Sequence, residues 1–99
     1  MRDVRIRARA RAEIVEAVEW YEARSRVASA AFLDALDVVL REIGETPERF
    51  PVVQGQLRRV LLKRFPYAVY YKVYPNTISI VGVIHGRRHP STWVRHAGP

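Results

Sequence analysis

Residues 57–85 read LRRVLLKRFPYAVYYKVYPNTISIVGVIH, and this stretch decides the fold. β-Branched and aromatic residues fill three runs, 57–63, 67–74 and 77–85, separated by Arg64-Phe65-Pro66 and by Pro75-Asn76. Runs of this composition with turn residues between them predict three strands in an antiparallel meander. Period-two alternation then assigns faces. In the first run Arg59, Leu61 and Lys63 share one face and Arg58, Val60, Leu62 and Arg64 the other, so at least one arginine-bearing face meets solvent or a partner. In the second run Tyr67, Val69, Tyr71 and Val73 form the side expected to be buried. That leaves Tyr70 and Tyr74, on the face of Lys72, as candidates for contact with a partner.

Upstream, Asp3-Val4-Arg5-Ile6-Arg7 alternates polar with apolar residues and predicts a short strand with Val4 and Ile6 inward. From about Ala8 to Arg24 the period changes: Ala10, Ile14, Ala17, Val18 and Tyr21 follow three-four spacing, the mark of an amphipathic helix. A second helix begins at Ser25, a candidate N-cap, and carries Ala28, Phe32, Ala35, Leu36, Val39 and Ile43 on one stripe until Gly44 and Pro47 stop it near Glu45. The link between them is short enough to demand an antiparallel hairpin. Residues 46–56, with Pro47, Pro51 and Gly55, read as a loop. After the last strand, Gly86-Arg87-Arg88-His89-Pro90 breaks the pattern, and Ser91 is a candidate cap for a short turn carrying Trp93. The expected architecture is a single α+β domain over residues 1–99, a two-layer β-α-α-β-β-β arrangement with a helical hairpin on an antiparallel sheet of open strand order.

The chain has 99 residues, 17 Lys+Arg against 10 Asp+Glu, and no cysteine, which excludes disulfide scaffolds and thiolate metal sites. No apolar run approaches the roughly 20 residues of a membrane helix, and nothing resembles a secretory leader, so a soluble cytoplasmic protein with no membrane partner is expected. The net charge of +7 is unevenly spread. Residues 1–11 hold five Arg and Asp3, residues 12–50 hold nine acids and four Arg, and residues 51–99 hold eight basic residues and no acid. The C-terminal half is therefore built to face negative charge, and the helical and sheet layers should carry opposite potentials. The N-terminal arginines alternate with Val4 and Ile6, which makes a solvated strand face the simpler account of them.

Two chemistries suit such a face. Clustered cations bind a phosphate backbone, and tyrosines among them could stack on unpaired bases. Alternatively the site cleaves RNA by attack of a 2′-hydroxyl on phosphorus, which needs a base, an acid and cations for the phosphorane. With no carboxylate after Glu48, the proton would fall to His85, His89, His96 or a lysine; His85 is the best placed, ending a strand beside Gly86-Arg87-Arg88, although a structural histidine bonded to the sheet end or tail is the more ordinary reading. Three scattered histidines give no metal-ligand spacing, and neither a glycine-rich phosphate loop nor a nucleophile elbow is present, so no metal or other cofactor is expected.

Several elements taken in order resemble a known family: Trp20-Tyr21-Glu22 closing the first helix, Arg58-Arg59, Phe65-Pro66-Tyr67 with Tyr71 four residues on, then His85-Gly86-Arg87-Arg88-His89-Pro90 and Trp93. The combination is similar to the RelE/ParE superfamily, the toxins of bacterial type II toxin-antitoxin systems, and covers nearly the whole chain. The resemblance implies the same fold, growth inhibition of the kind associated with plasmid stabilisation, and neutralisation by a cognate antitoxin with an acidic C-terminal segment. RelE-like members cleave mRNA in the ribosomal A site without metal, whereas ParE-like members poison DNA gyrase. The Phe-Pro-Tyr element and the Arg-Arg-x-Pro-x-x-Trp ending place this chain nearer the ParE-like side, and it lacks the tail tyrosine of RelE-like nucleases unless His85 or His89 substitutes. The expectation is thus a toxin that binds a target such as gyrase through Arg58, Arg59, Lys63, Arg64, Arg87, Arg88, Tyr70 and Trp93. The alternatives are an mRNA endonuclease using His85 or His89, with ribosome and message as partners, and a non-toxic nucleic-acid-binding module.

Overall fold

The computed structural model describes residues 2–86. Strand β1 (Asp3–Ile6) leads into α1 (Ala8–Glu22) and α2 (Arg26–Glu45), followed by β2 (Val52–Gln54), β3 (Leu57–Leu61), β4 (Tyr67–Val73) and β5 (Thr77–His85). The helices start and stop where local chemistry dictates. Ser25, in extended backbone, accepts the Ala28 N–H on its side chain at 3.2 Å and caps α2, while α1 closes with the Ala23 N–H donating to the Glu19 carbonyl. Between the helices only Ala23, Arg24 and Ser25 intervene, and the two pack side by side as a hairpin.

The strands form one sheet in the order β1-β5-β4-β3-β2. β2 to β5 are antiparallel neighbours, but β1 pairs parallel with β5, Val4 opposite Ile78 and Ile6 opposite Ile80. The sheet is therefore mixed, where sequence reading expected an antiparallel one. Parallel pairing follows from the crossover: the chain leaves β1, passes through both helices and the meander, and returns to β1's side from the same end. The expected loop over residues 46–56 also contains β2, too short and too exposed at Val52 and Val53 to give a periodic signal.

The helices cover one face of the sheet. Ala10, Ala17, Phe32, Leu36, Val39 and Ile43 meet Val60, Leu62, Val69, Tyr71, Ile78, Ile80 and Val83 there, all buried, with Val4 and Ile6 packed against them as their alternation predicts. The opposite face has a second buried cluster, Leu57, Ala68, Tyr70, Val81 and Ile84. A bulge divides the phase of β5: Tyr71 pairs with Ile80 and Tyr70 with Gly82, leaving Val81 as an extra residue. Before it the even-numbered Ile78 and Ile80 face the helices; after it the odd-numbered Val83 does, and His85 falls opposite Tyr67.

Candidate binding surface

The adjacent arginines of β3 have different environments. Arg58 stands on the helix-side face opposite Tyr71, half-buried, and its Nη1 donates to the Phe50 carbonyl at 2.6 Å and the Glu48 carbonyl at 3.1 Å. Beside it the buried Tyr71 hydroxyl donates to the Pro47 carbonyl at 2.6 Å. Burial pushes the Tyr71 phenol up to about 12, against a lowering influence from the Arg58 cation and a further raise from Glu48. Together the two side chains hold residues 47–50 against the sheet and satisfy carbonyls that the turn leaves outside any ladder.

Arg59 points the other way and is exposed. Lys63 and Arg64, just past the strand, are also exposed, and Leu61 keeps 63% of its surface in solvent. The β3–β4 turn that carries Lys63 and Arg64 is closed by the Leu62 N–H donating to the Tyr67 carbonyl at 2.9 Å. Arg64 has φ 69°, the one non-glycine residue described in the left-handed region. That geometry sends the Arg64 side chain outward while Phe65 turns in, edge-on to Phe32 and Tyr21 at ring-centroid separations of 5.5 and 5.2 Å. Tyr67 meets Phe32 in the same way at 5.2 Å. The Phe-Pro-Tyr element thus anchors a basic turn to the helical hairpin.

Tyr70 is not the exposed platform expected of it. Only 3% of its surface is accessible, and it lies in a buried cluster with Leu57, Ala68, Val81 and Ile84 on the second face of the sheet. Tyr74 and Lys72 are half-buried. His85, at the end of β5, lies edge-on to Tyr67 with ring centroids 5.4 Å apart and borders a cavity of about 30 Å3 shared with Glu13, Glu16, Ala17 and Val83. The charge split had put the acids in the helical layer, apart from the basic strands, yet α1 crosses β5 and brings two of them to His85. Glu13 Oε1 also accepts the Val83 N–H at 2.9 Å, doing for β5 what β1, ending at Ile6, cannot do. Sequence reasoning missed both glutamates. The signal was their spacing around Ala17, the buried residue that turns this side of α1 toward the sheet.

Arg87, Arg88, His89 and Trp93, along with the turn expected at Ser91, lie outside the described residues. Among the described residues no group of three or more His, Cys, Asp or Glu is placed to hold a metal, and no helix is long and apolar enough to cross a membrane.

The described residues thus form a helical hairpin on a five-stranded mixed sheet, with a basic turn anchored by aromatics. The structure described as "Chromosomal ParDE TA system from P. aeruginosa" shares this fold, with a TM-score of 0.64 at 15% identity over 86% of this chain and 96% of that one. The family model for the ParE toxin of the type II toxin-antitoxin system parDE matches residues 4–90, and the chain belongs to that family. Comparison with curated proteins gives no significant match.

Proposed function

We propose that this protein is a toxin that arrests growth by binding a cytoplasmic target such as DNA gyrase, and that a cognate antitoxin with an acidic C-terminal segment neutralises it. The observation that carries the reading is the family match over residues 4–90, which takes in every described helix and strand except Asp3, the first residue of β1. The surface fits a binding role. Arg59, Leu61, Lys63 and Arg64 are all exposed, a combination of cations and apolar area suited to a protein or phosphate-bearing target, and the sequence adds Arg87, Arg88 and Trp93 as further candidates. Arg58, with both carbonyl bonds in place, supports this surface from behind.

The test is expression without an antitoxin, followed by purification of gyrase-bound DNA. Growth arrest with accumulation of gyrase-cleaved DNA supports the reading. Unchanged growth would leave a nucleic-acid-binding module without toxicity.

One observation favours mRNA cleavage as the second reading. Glu13 and Glu16 share a cavity with His85, so carboxylates stand beside the imidazole that would move the proton. Cleavage of message in the ribosomal A site, abolished by His85→Ala, would replace the gyrase reading; an identical effect of His89→Ala would assign the proton transfer to that residue instead.

A further inference from the structure

Ser29 and Ser79 are the two buried serines among the described residues, and their hydroxyl groups are used differently. The Ser29 hydroxyl donates to the Arg26 carbonyl at 3.0 Å, an ordinary bond within α2. Ser79, 3% accessible in β5, instead accepts from Arg7 Nε at 2.7 Å. An accepting hydroxyl still has its own hydrogen to give, and no acceptor for it lies among the described residues. Thr77, two residues earlier on the same strand face, shows the usual arrangement, its hydroxyl donating to the Asp3 carbonyl at 3.0 Å. A buried donor without an acceptor is costly and rare, so the exception at Ser79 points to a partner from outside the chain.

The surroundings of that hydroxyl are cationic. Val4, Ile6, Tyr71, Ile78 and Ile80 pack toward the helices, so Arg5, Lys72 and Ser79 share the opposite face of the sheet. Ser79 stands between Arg5 of β1 and Lys72 of β4, in register with both. Adjacent strands lie about 4.8 Å apart, so both long side chains reach the hydroxyl from either side. Arg5 and Arg7 each use Nε inside the chain, Arg5 on Asp3 at 2.8 Å and Arg7 on Ser79. That orients two guanidinium groups and leaves their Nη groups to grip an oxyanion. Both side chains are exposed, and no carboxylate pairs with Arg7 among the described residues.

Little opposes this charge. Asp3 is the only carboxylate in the five strands, and its pair with Arg5 is solvent-exposed and weak. The first turn of α1, which starts directly after Arg7, holds neither an acid nor a side-chain cap, so the positive end of that helix adds to the local potential. Three cations from three segments around one donor hydroxyl suit a tetrahedral oxyanion, whose oxygens are shared among them; a carboxylate offers two oxygens in one plane and serves fewer. We propose that Arg5, Arg7, Lys72 and Ser79 form a binding site for a phosphate group on the sheet face away from the helices. Ser79 positions Arg7 and directs its hydroxyl hydrogen at one phosphate oxygen, while the Arg5 and Arg7 Nη groups and Lys72 Nζ take the others. The site lies toward the β4–β5 turn, at the other end of β4 from Lys63 and Arg64, and stands without the toxin reading. Free phosphate and the phosphodiester of a polynucleotide present the same charged oxygens.

The test titrates inorganic phosphate into the full chain and follows the arginine Nε–H and backbone amide resonances by NMR, with sodium chloride at matched ionic strength as control. Saturable shifts at the Arg7 Nε–H and the Ser79 amide, absent with chloride, are expected. Arg7→Met, at an exposed side chain, should weaken phosphate binding at least tenfold, and Arg5→Met, Lys72→Met and Ser79→Ala several-fold each. Arg41→Met removes the same charge from the helical layer and should leave binding unchanged. Arg7→Lys keeps the charge but not the fork, and should recover only a minor part of the loss. A ten-nucleotide oligothymidylate without terminal phosphates then separates the sources: displacement of inorganic phosphate from the same resonances assigns the site to a polynucleotide backbone, and no displacement assigns it to free phosphate. Both results support the site. Shifts that grow without saturation and appear equally at Arg59 and Lys63 would show screening by counterions alone and overturn it. Parent-like binding by Arg7→Met, or by Arg7→Lys together with Ser79→Ala, would overturn it as well.

Discussion

Arg58 and Arg59 are adjacent, chemically identical and share a strand, yet one fastens a loop and the other meets solvent. Arg58 donates to two loop carbonyls from the helix-side face, and Arg59 stands exposed on the other. Leu61 and Leu62 repeat the division three residues on, with 63% and 6% of their surfaces accessible. A basic strand is thus not uniformly a binding surface. Alternation sorts its cations into those that hold the domain together and those left for a partner, and the charge count alone cannot separate the two.

The largest effect should come from the leucines. Leu62→Ala removes a side chain packed with Val60 and Val69 in the main cluster and should cost about 2–5 kcal/mol of unfolding free energy. Leu61→Ala should stay within about 0.5 kcal/mol, as surface changes do, while weakening any complex that covers the basic turn. Urea denaturation of both variants checks the first pair of values. Equal losses would mean that the two faces of β3 are not distinguished as described.

The arginines come next. Arg58→Met strips the Glu48 and Phe50 carbonyls of a cationic donor and should destabilise by about 1.5–3 kcal/mol, the range for hydrogen bonds to charged groups. Arg59→Met should leave urea stability within about 0.5 kcal/mol and instead reduce the salt dependence of target binding, because an exposed cation contributes through counterion release or steering. A stability loss at Arg59 matching that at Arg58 would erase the contrast.

Much of this is legible in the sequence. Three-four spacing locates both helices, alternation locates β1, β-branched and aromatic runs between turn residues locate β3, β4 and β5, and period two turns Val69 and Tyr71 inward while leaving open which face of β3 is buried. Three features were not legible, each for a physical reason. β2 is three exposed residues stabilised by pairing with β3, and its own sequence carries no period. Alternation puts Tyr70 on the face away from the helices, which a two-layer reading leaves open, whereas that face holds a buried cluster of Tyr70 with Leu57, Ala68, Val81 and Ile84. The bulge at Val81 shifts the phase of β5 by one residue, and no alternation rule run from Ile78 would have put His85 on the helix side beside Glu13 and Glu16. The candidate site was therefore visible as a list of cations but not as a division between supporting and available ones.

Tyr71 extends the contrast to alkaline pH. Its phenol is held at about 12 by burial, against an ordinary value of 10.0, so between those two values the unfolded chain releases a proton that the folded chain keeps. Stability from this residue is complete below pH 10 and is lost as pH rises toward 12. Urea midpoints at pH 9 and pH 11 should fall further for the parent than for Tyr71→Phe, which lacks the titrating group, even though the variant starts lower for want of the Pro47 bond. The other tyrosines, Tyr21 included with its own upward shift from burial, remain in both proteins and cancel. Parallel midpoints would show that the Tyr71 hydroxyl is not sequestered under the loop.

The smallest effect tests whether the exposed turn is a conformation or merely a charge. At φ 69° Arg64 adopts backbone that costs an L residue about 1 kcal/mol, a cost glycine avoids, though glycine also enlarges the freedom of the unfolded chain. Arg64→Gly should therefore be more stable than Arg64→Ala by up to about 1 kcal/mol, with both remaining close to the parent. Both variants lose the cation, so equal weakening of target binding would assign the contribution of this position to its charge. If Arg64→Gly binds distinctly worse than Arg64→Ala, the fixed outward turn that opposes Arg64 to Phe65 is what the target recognises, and the available face of β3 is defined by shape as well as by its cations.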